Sequence, residues 1–557
     1  MGLAALLLVA YGWFFVYFEK INNPNEMVRV YMARSLAEEH RYALGERKSV
    51  WGVSFDDGTV FQEWGYVNDK ALVCRERNQT PPQCPGTLYA AKAPGASLLG
   101  SPIIVLQRWM TRWFAHRAPS KAEMVFVLRW ALGIVPSILL WLGVWTFLLR
   151  RGVARQVALI ATLAGALGSL SLTYGQMFAG HQLAACALGL AFLSGFYPSG
   201  ERSGGTRTPL ASAISLGLGA GLAICIEYPS APAAAIIAIG WWRERRPGWR
   251  AVLLAALGAL PSLALLAHFH WSAFGAPWRT PYSFLENVGF AQDISPGLMG
   301  VSPPTFERIS GSLWSPTFGL WFWAPWTALA LAAPFLLRRA ERNRIAGFTA
   351  AAVVVYYLFF QITHALWRGG WVIGPRYITA LVPFAAISVA FAIDVLKGEA
   401  KAIATGIWGA AAAASILATG LASSVSQGFP PEIYNPLPET VGPLLLHGFV
   451  PPNLLQLAGV PGLWSAVPYL AALAIGALLS LTAPLRLDAP ARGKVVAYVL
   501  ALFVLPLLAA LQWGSKAGDV EEHARGTRYL ASVWEPNPPP GARPFESAST
   551  SCVLTPP

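Results

Sequence analysis

The chain has 557 residues, of which 55% are hydrophobic and only 12% are charged, and its mean hydropathy is +0.47. These values exclude a soluble globular protein. The formal net charge is +13, but no basic tract with interleaved aromatic residues points to nucleic acid. The composition therefore predicts an all-α polytopic membrane protein.

Apolar runs long enough to cross about 30 Å of hydrocarbon, as short or tilted helices where necessary, recur along the chain. Thirteen can be placed, at 3–18, 123–149, 156–174, 179–197, 209–226, 229–242, 251–269, 317–337, 345–362, 377–396, 402–424, 465–485 and 494–512. Between the runs 209–226 and 229–242 stand Glu227, Tyr228 and Pro229. These three residues predict either a tight turn or a kink.

The short loops on one side of this arrangement hold most of the arginines and lysines. They read "RRGVAR" (150–155), "RERRPGWR" (243–250), "RRAERNR" (338–344), "KGEAK" (397–401) and "RLDAPARGK" (486–494). Basic loops stay in the cytoplasm, so this side is predicted to be cytoplasmic. The long segments 19–122, 270–316, 425–464 and 513–557 then lie outside, and chemistry is expected on that face.

The first external segment contains two predicted surface helices. From Pro24 to Glu39, the residues Val28, Met32 and Leu36 recur at helical spacing, which predicts an amphipathic helix along the membrane surface. The stretch 92–117 is predicted to form a second one, ending in alternating aromatic and basic residues.

Polar sequence lies between these two helices. Cys74 and Cys84, in "CRERNQTPPQC", have a spacing that suits a local disulfide in an oxidising compartment, with two unpaired thiols as the alternative. Asp56 and Asp57, in "FDDG", could ligate a divalent cation, although two acids before a glycine also make a turn.

Four stretches at the external ends of predicted helices resemble a known family when they are taken in order. They are "NPNEMVRVYMARSL" (23–36), "AKAPGASLLGSP" (91–102), "FGLWFWAPW" (318–326) and "GPRYITALVPF" (374–384). Together they resemble the GT-C glycosyltransferases, in particular the bacterial relatives of aminoarabinose transferase and the protein O-mannosyltransferases of glycosyltransferase family 39. The resemblance implies a GT-C-like catalytic module over 1–396, including the external loop 19–122. It leaves 397–512 as additional transmembrane helices with the loop 425–464, and 513–557 as an external tail.

The resemblance also implies a reaction, an inverting transfer of a hexose or pentose from a polyprenyl phosphate to a hydroxyl of an envelope glycan, lipid or protein. Such a transfer needs a carboxylate that takes the acceptor's proton and cations that stabilise the departing lipid phosphate. The expected partners are membrane lipid and the polyprenyl-phosphate sugar, which is a donor substrate, and no other cofactor is implied beyond the divalent cation considered above. The sequence specifies no oligomeric state. The expected location is the external face of a bacterial plasma membrane.

The matching stretches supply candidate phosphate ligands in Arg29, Lys92 and Arg376. The alternative for each is a basic side chain that extends to the lipid headgroups. The family motif typically reads Asp-Glu with the first acid as catalytic carboxylate, whereas this chain has Asn25 and then Glu26. Glu26 is therefore the predicted catalytic carboxylate.

A structural alternative exists for Glu26. Asn23 as N-cap, Pro24 at the first helical position and Glu26 at the third would form a capping box, in which Glu26 only satisfies the helix backbone.

Other polar and aromatic residues near the external face are candidate substrate contacts: Asn25, Glu227, His181, His364 and Trp321. Glu227 could instead pair with an arginine, His181 could be a packing residue, and Trp321 could belong to an interfacial aromatic belt.

Two other functions remain open at this point. A transporter or flippase of lipid-linked sugars predicts internal repeats, which the sequence lacks. A non-catalytic relative that binds lipid or assists assembly is kept open by Asn25.

Overall fold

The computed structural model describes most of the chain. The described residues are 2–19, 23–51, 53–76, 79–82, 84–198, 210–295, 297, 300–514, 520–533 and 539–543. Much of the predicted tail 513–557 therefore lies outside the described residues.

Helices make up most of the fold. They are α1 Gly2–Gly12, α2 Pro24–Glu39, α3 Thr59–Trp64, α4 Gly95–Ala115, α5 Lys121–Arg129, α6 Val135–Arg150, α7 Arg155–Leu167, α8 Leu170–Gly175, α9 Gly180–Phe196, α10 Leu210–Ile226, α11 Ser230–Arg245, α12 Trp249–Phe274, α13 Val288–Ile294, α14 Phe306–Trp314, α15 Leu320–Trp323, α16 Ala333–Leu337, α17 Arg344–Thr363, α18 Val382–Val395, α19 Gly398–Ser423, α20 Gly442–Leu446, α21 Leu454–Leu457, α22 Val467–Thr482, α23 Ala491–Gly514 and α24 Val520–Ser532. A π-helical turn, Trp130–Ile134, makes α5 and α6 continuous.

Seven helical stretches in the described part of the chain are long and apolar enough to cross a membrane. They are Lys121–Arg150, Trp249–Phe274, Arg344–Thr363, Arg376–Val395, Gly398–Ser423, Gly462–Arg486 and Ala491–Gly514. Four further apolar helices, α1, α7, α9 and α10, are shorter. The chain is thus built as a multi-pass membrane protein, but the predicted count of thirteen spans is not confirmed.

The predicted run 317–337 is not one helix. It consists of α15, a 3₁₀ segment Pro325–Leu331 and α16. Pro325 and Pro334 each remove a backbone donor and clash with the preceding turn, so the apolar run cannot continue as a regular helix.

The ambiguous run 209–242 resolves into two helices. α10 ends at Ile226 and α11 begins at Ser230, whose backbone N–H donates to the Glu227 carbonyl at 3.0 Å. The interruption is therefore a tight turn, and it leaves Glu227 at a helix end.

A small sheet in the segment 19–122, which was predicted to be external, corrects the all-α prediction. Its strands are β1 Gly45–Val50, β2 Val53–Asp57, β3 Lys70–Cys74 and β4 Gly86–Ala90. They pair antiparallel in the order β2-β1-β4-β3. The pairing of β3 with β4 brings Cys74 and Cys84 together, and the structure joins them by a disulfide with the Cα atoms 5.6 Å apart.

The two predicted surface helices differ in their surroundings. Helix α4 is amphipathic, and Leu106, Trp109, Trp113 and Phe114 are exposed along it. Helix α2 is not a surface helix, because every residue from Asn25 to Ser35 is buried. Two contacts show why: Ser97 on α4 donates to the Arg29 carbonyl at 3.0 Å, and Tyr31 donates to the Trp64 carbonyl at 2.9 Å. Helix α2 is therefore covered by α4 and by the segment around the sheet.

The five basic loops meet at one end of the molecule. The contacts that join them are Arg151 with Glu244 at 2.6 Å, the Asn343 amide with the Arg151 carbonyl at 3.1 Å, Asp394 with Lys401 at 2.7 Å and with the Ala154 N–H at 3.3 Å, and the Gln156 amide with the Arg486 carbonyl at 2.7 Å. The predicted grouping of these loops on one side agrees with this arrangement.

Candidate functional site

Five charged side chains form a cluster at the other end of the helices. The charged cluster comprises Arg29 on α2, Asp69 before β3, Lys92 before α4, Glu227 between α10 and α11, and Arg376 at the start of the 3₁₀ segment that leads into α18. Arg29 pairs with Glu227 at 2.5 Å and Lys92 with Asp69 at 3.1 Å. The charges of Arg29, Lys92 and Arg376 all act on both carboxylates. The three cations predicted from the sequence therefore lie together.

The cations of this cluster keep unused hydrogen-bond donors. The Nε atoms of Arg29 and Arg376 are buried and have no acceptor among the described residues. Buried donors are rarely left without a partner, and charged donors bind anionic oxygens best. Three cations and two carboxylates leave one positive charge in excess, so the cluster suits a ligand that carries a single negative charge.

Arg29 is fixed by its own helix and by the chain around it. Its guanidinium is fully buried, and Nη1 donates to the Asn25 carbonyl at 2.5 Å and to the Asn25 side-chain oxygen. Asn25 also places its amide nitrogen 3.5 Å from His181 Nε2. His181 Nδ1 in turn lies 3.4 Å from Glu227 Oε1. Asn25 and His181, both candidate contacts, thus form one wall of the charged cluster.

Gly180 makes room for the pair of Arg29 and Glu227. A Cβ atom at this position would lie 2.2 Å from Glu227 Oε1 and 2.6 Å from Arg29 Nη2, closer than real Cβ contacts come. Sequence reasoning did not single out this glycine, because the atoms it must avoid come from segments far away in the chain.

Asp69 was also missed. Its backbone is left-handed, with φ at 61°, a conformation in which aspartate is one of the enriched residues. Burial alone would raise the pKa of its carboxyl, but Lys92 and Arg376 outweigh burial and lower that pKa below its usual value. Asp69 is therefore an ionised partner of the cations. The only signal in the sequence was "NDK" ahead of a strand, which many turns share.

Glu26 has a partner that the sequence did not indicate. Its carboxylate accepts two hydrogen bonds from Arg129, at 2.7 and 2.6 Å, and a third from the Phe178 backbone N–H at 2.8 Å. The side chain is 1% exposed. Arg129 also donates to the Val16 carbonyl at 2.6 Å and to Gln427 at 3.0 Å. The role of Glu26 as catalytic carboxylate stays a prediction, but its contacts are those of a buried structural ion pair.

The capping-box alternative for Glu26 is wrong in part. Asn23 does cap α2, its side chain accepting from the Asn25 N–H at 3.2 Å, and Pro24 occupies the first turn. The Glu26 carboxylate, however, is occupied by Arg129 and Phe178 and does not complete the box.

His364 lies beside the cluster, whereas Trp321 does not join it. His364 Nδ1 accepts from the Leu366 N–H at 3.1 Å, and the imidazole packs 5.4 Å from the Tyr377 ring. Burial, assisted by the charges of Arg308 and Lys92, lowers the pKa of His364 to about 4, so its imidazole is neutral near pH 7. Trp321 packs edge-on against Trp314 at 5.0 Å.

Asp56 and Asp57 are ion-paired with basic side chains. Asp56 accepts from Arg47 at 2.6 Å and pairs with Lys70, and Asp57 pairs with Lys48. Within the described ranges no group of three or more histidine, cysteine or acidic residues could hold a metal ion. The two aspartates, considered for a divalent cation with a turn as the alternative, are thus engaged in ion pairs.

No family model matches the chain, and no curated protein was found to match it. Three solved structures are similar. ArnT from Cupriavidus metallidurans bound to undecaprenyl phosphate has 14% identity and a TM-score of 0.45 over 96% of this chain and 78% of its own. The apo state of the same protein has 12% identity and a TM-score of 0.41, with coverage of 96% and 89%.

The third similar structure is the arabinosyltransferase EmbB from Mycobacterium smegmatis, with 12% identity and a TM-score of 0.41. The likeness covers 96% of this chain and 41% of EmbB. These likenesses agree with the aminoarabinose-transferase resemblance noted from the sequence. With TM-scores below 0.5, the function proposed next rests on the side chains of this chain.

Proposed function

We propose that this chain is a membrane glycosyltransferase that moves a sugar from a polyprenyl phosphate to an acceptor hydroxyl, with inversion at the anomeric carbon. The acceptor would be an envelope glycan, lipid or protein, and the sugar a hexose or pentose. The module 1–396 would contain the reaction site, and the helices and loop of 397–512 would support it.

The charged cluster carries this proposal. A sugar linked to a lipid through one phosphate is a phosphodiester with a single negative charge, which equals the excess positive charge of the cluster. Arg29, Lys92 and Arg376 would bind the phosphate oxygens, with the free Nε atoms of the two arginines as donors. As the bond from the sugar to the phosphate breaks, negative charge grows on the leaving phosphate, and buried cations stabilise that charge most effectively.

The position of the cluster supports an external site. The five basic loops lie at the opposite end of the helices, and such loops remain in the cytoplasm. In a bacterial plasma membrane the charged cluster would then face the outside, and the bilayer would supply the lipid-linked donor.

A second function is favoured by one observation. Asn25 stands where the family motif has its first acid, and the neighbouring Glu26 is engaged by Arg129. A non-catalytic relative would still bind the lipid phosphate but would transfer no sugar. Lipid binding and sugar transfer must therefore be measured separately.

Binding is tested with undecaprenyl phosphate and the purified chain in lipid nanodiscs. Arg376→Gln should weaken binding roughly 10- to 100-fold, because one hydrogen bond to a charged group is worth about 1.5–3 kcal/mol. Arg368→Gln is the matched control, since Arg368 lies eight residues earlier in an exposed pair with Glu307. Equal binding by wild type and both variants would contradict the phosphate site.

Transfer is tested by mass spectrometry of envelope glycans from cells with and without the gene. Loss of one glycan modification, restored by the wild-type gene, is the expected result. Binding of undecaprenyl phosphate with unchanged glycans, and no transfer from a panel of undecaprenyl-phosphate sugars, would establish the non-catalytic alternative.

A further inference from the structure

A small cavity lies directly beside the charged cluster. Its lining residues are His181, Ala184, Glu227, Pro229, Ser230, Tyr357, Tyr377 and Ala380. They come from α9, from the turn between α10 and α11, from the start of α11, from α17 and from the 3₁₀ segment that begins at Arg376. The cavity has room for about one water-sized group, which is the size of a hydroxyl.

Polar side chains around this cavity have few partners. The Ser230 and Tyr357 hydroxyls are buried, each residue being 1% exposed, and among the described residues neither has a hydrogen-bond partner other than the hydroxyl that faces it. Glu227 Oε2 accepts no hydrogen bond from any residue that the structure describes, whereas Oε1 is held by Arg29 and lies near His181. Buried polar atoms without partners are uncommon in native structures and indicate a polar group that is bound there.

We infer that this cavity receives the acceptor hydroxyl and that Glu227 is the carboxylate that takes its proton. The inference rests on the proposed function. It extends that function by naming a base other than Glu26 and a place for the attacking oxygen.

The assigned step is balanced as follows. The acceptor oxygen forms a bond to the anomeric carbon as its O–H bond breaks, and the proton passes to Glu227 Oε2. The bond from the anomeric carbon to the phosphate oxygen breaks on the opposite side, and its electron pair leaves with the lipid phosphate. The Tyr357 and Ser230 hydroxyls donate to or accept from the acceptor oxygen and so fix its direction of attack.

The contacts distinguish Glu227 from the other buried carboxylates. Both oxygens of Glu26 are occupied, by Arg129 and by the Phe178 N–H. Asp69 is paired with Lys92, and its pKa is lowered, which makes it a weak base. Glu227 lines the cavity, and one of its oxygens is bound to Arg29 while the other accepts no hydrogen bond from the described residues. It alone of these three joins the predicted phosphate site to an open polar space.

The main test is Glu227→Gln, which keeps the shape of the side chain and removes the base. A positioned base is worth roughly 10²–10⁴-fold in rate, so kcat should fall by that factor. Binding of undecaprenyl phosphate and the KM for the donor should not weaken, because the variant removes a negative charge from a phosphate site. Glu227→Asp should retain more activity than Glu227→Gln because it keeps a carboxylate.

A matched control exists at the opposite end of the molecule. Glu244 forms a similarly buried ion pair with Arg151, at 2.6 Å and with side chains 17% and 12% exposed. Glu244→Gln should leave kcat unchanged. Tyr357→Phe should raise the KM for the acceptor or lower kcat about tenfold, whereas Tyr469→Phe, which removes a buried hydroxyl on α22, should not.

The outcomes separate this inference from the proposed function. If wild type transfers sugar and Glu227→Gln does so at a similar rate, the inference is overturned and the function stands. If Glu227→Gln fails to fold, the inference is tested by the kcat of Glu227→Asp and by the kinetics of Tyr357→Phe. Wild-type kinetics in both variants would overturn the inference. If wild type transfers no sugar from any donor, the proposed function fails and the inference fails with it.

Discussion

Glu26 and Arg129 depend on each other because both are buried. Their side chains are 1% and 5% exposed and share two hydrogen bonds. Removing one partner of a buried ion pair leaves the other charge without compensation, which costs about 3–5 kcal/mol. The pair also holds other parts of the chain, because Arg129 donates to Val16 and to Gln427. Replacing either Glu26 or Arg129 is therefore expected to lower the stability of the protein first.

The double variant Glu26→Gln with Arg129→Gln distinguishes a structural Glu26 from a catalytic one. Each single substitution should lower the thermal midpoint strongly, while the double variant, in which two amides can still bond, should recover much of that loss. Recovery together with near wild-type transfer is expected if Glu26 is structural. The measurements are thermal unfolding in detergent and sugar transfer, arranged as a double-mutant cycle.

Recovery of stability without transfer would contradict this expectation and return the catalytic role to Glu26. The sequence could not choose between these roles. It showed Glu26 beside Asn25 in the right stretch, but Arg129 lies 103 residues further along the chain. The same holds for Glu227 and Arg29, which are 198 residues apart. Local motifs selected three cations that the structure brings together, and they left the partners of those cations unknown.

The four-stranded sheet is held by buried charges rather than by apolar packing alone. Lys70, at the start of β3, is fully buried and pairs with Asp56 on β2 and with Glu286 at 3.2 Å. Arg47 on β1 bonds both acids. Lys70 follows Asp69 directly, so this network also holds the turn that presents Asp69 to Lys92.

Replacing Lys70 should therefore affect the charged cluster, which is the proposed phosphate site. Lys70→Ala leaves two buried carboxylates with only Arg47 as a cation, so the segment 45–90 should loosen and become sensitive to protease. Binding of undecaprenyl phosphate should weaken about tenfold or more as Asp69 loses its position. Lys48→Ala is the control, because Lys48 pairs with Asp57 on the same sheet but is exposed, and such pairs contribute little. Similar behaviour of the two variants would show that the buried network does not support the site.

Helices of this chain could be predicted where apolar residues recur at helical spacing over many residues. The spacing of Val28, Met32 and Leu36 predicted a helix over Pro24–Glu39, and the helix is present. The burial of this helix could not be predicted, because α4 and the segment around the sheet, which cover it, come from other parts of the chain. The strands were missed because each has only five or six residues, and β1, "GERKSV", is largely polar. Such short strands are stabilised by their neighbours, which a local pattern does not show.

At the scale of the whole molecule, the charged residues gather at the two opposite ends of the helices. The basic loops gather at one end, where Arg151, Glu244 and Asn343 contact one another. The charged cluster and the sheet lie at the other. The sequence predicted this division from the positions of the basic residues, because positive residues in short loops are a general determinant of orientation. The prediction of one continuous run over 317–337 overlooked Pro325 and Pro334, which interrupt it.

The C-terminal region should lie on the same side as the charged cluster. At the end of α23, Gln512 donates to the Phe322 carbonyl at 2.7 Å, and its own carbonyl accepts from Asn435 at 2.9 Å. Further on, the Arg543 N–H donates to the His447 carbonyl at 2.8 Å, within the predicted external loop 425–464. An alkaline phosphatase fused after residue 543 should therefore be active, because this enzyme needs an oxidising compartment to form its disulfides. The same enzyme inserted in the loop 397–401 should be inactive, while a fluorescent reporter there should fold. The reverse pattern would place the basic loops outside and the charged cluster on the cytoplasmic side. That result would remove the basis for an external transfer reaction.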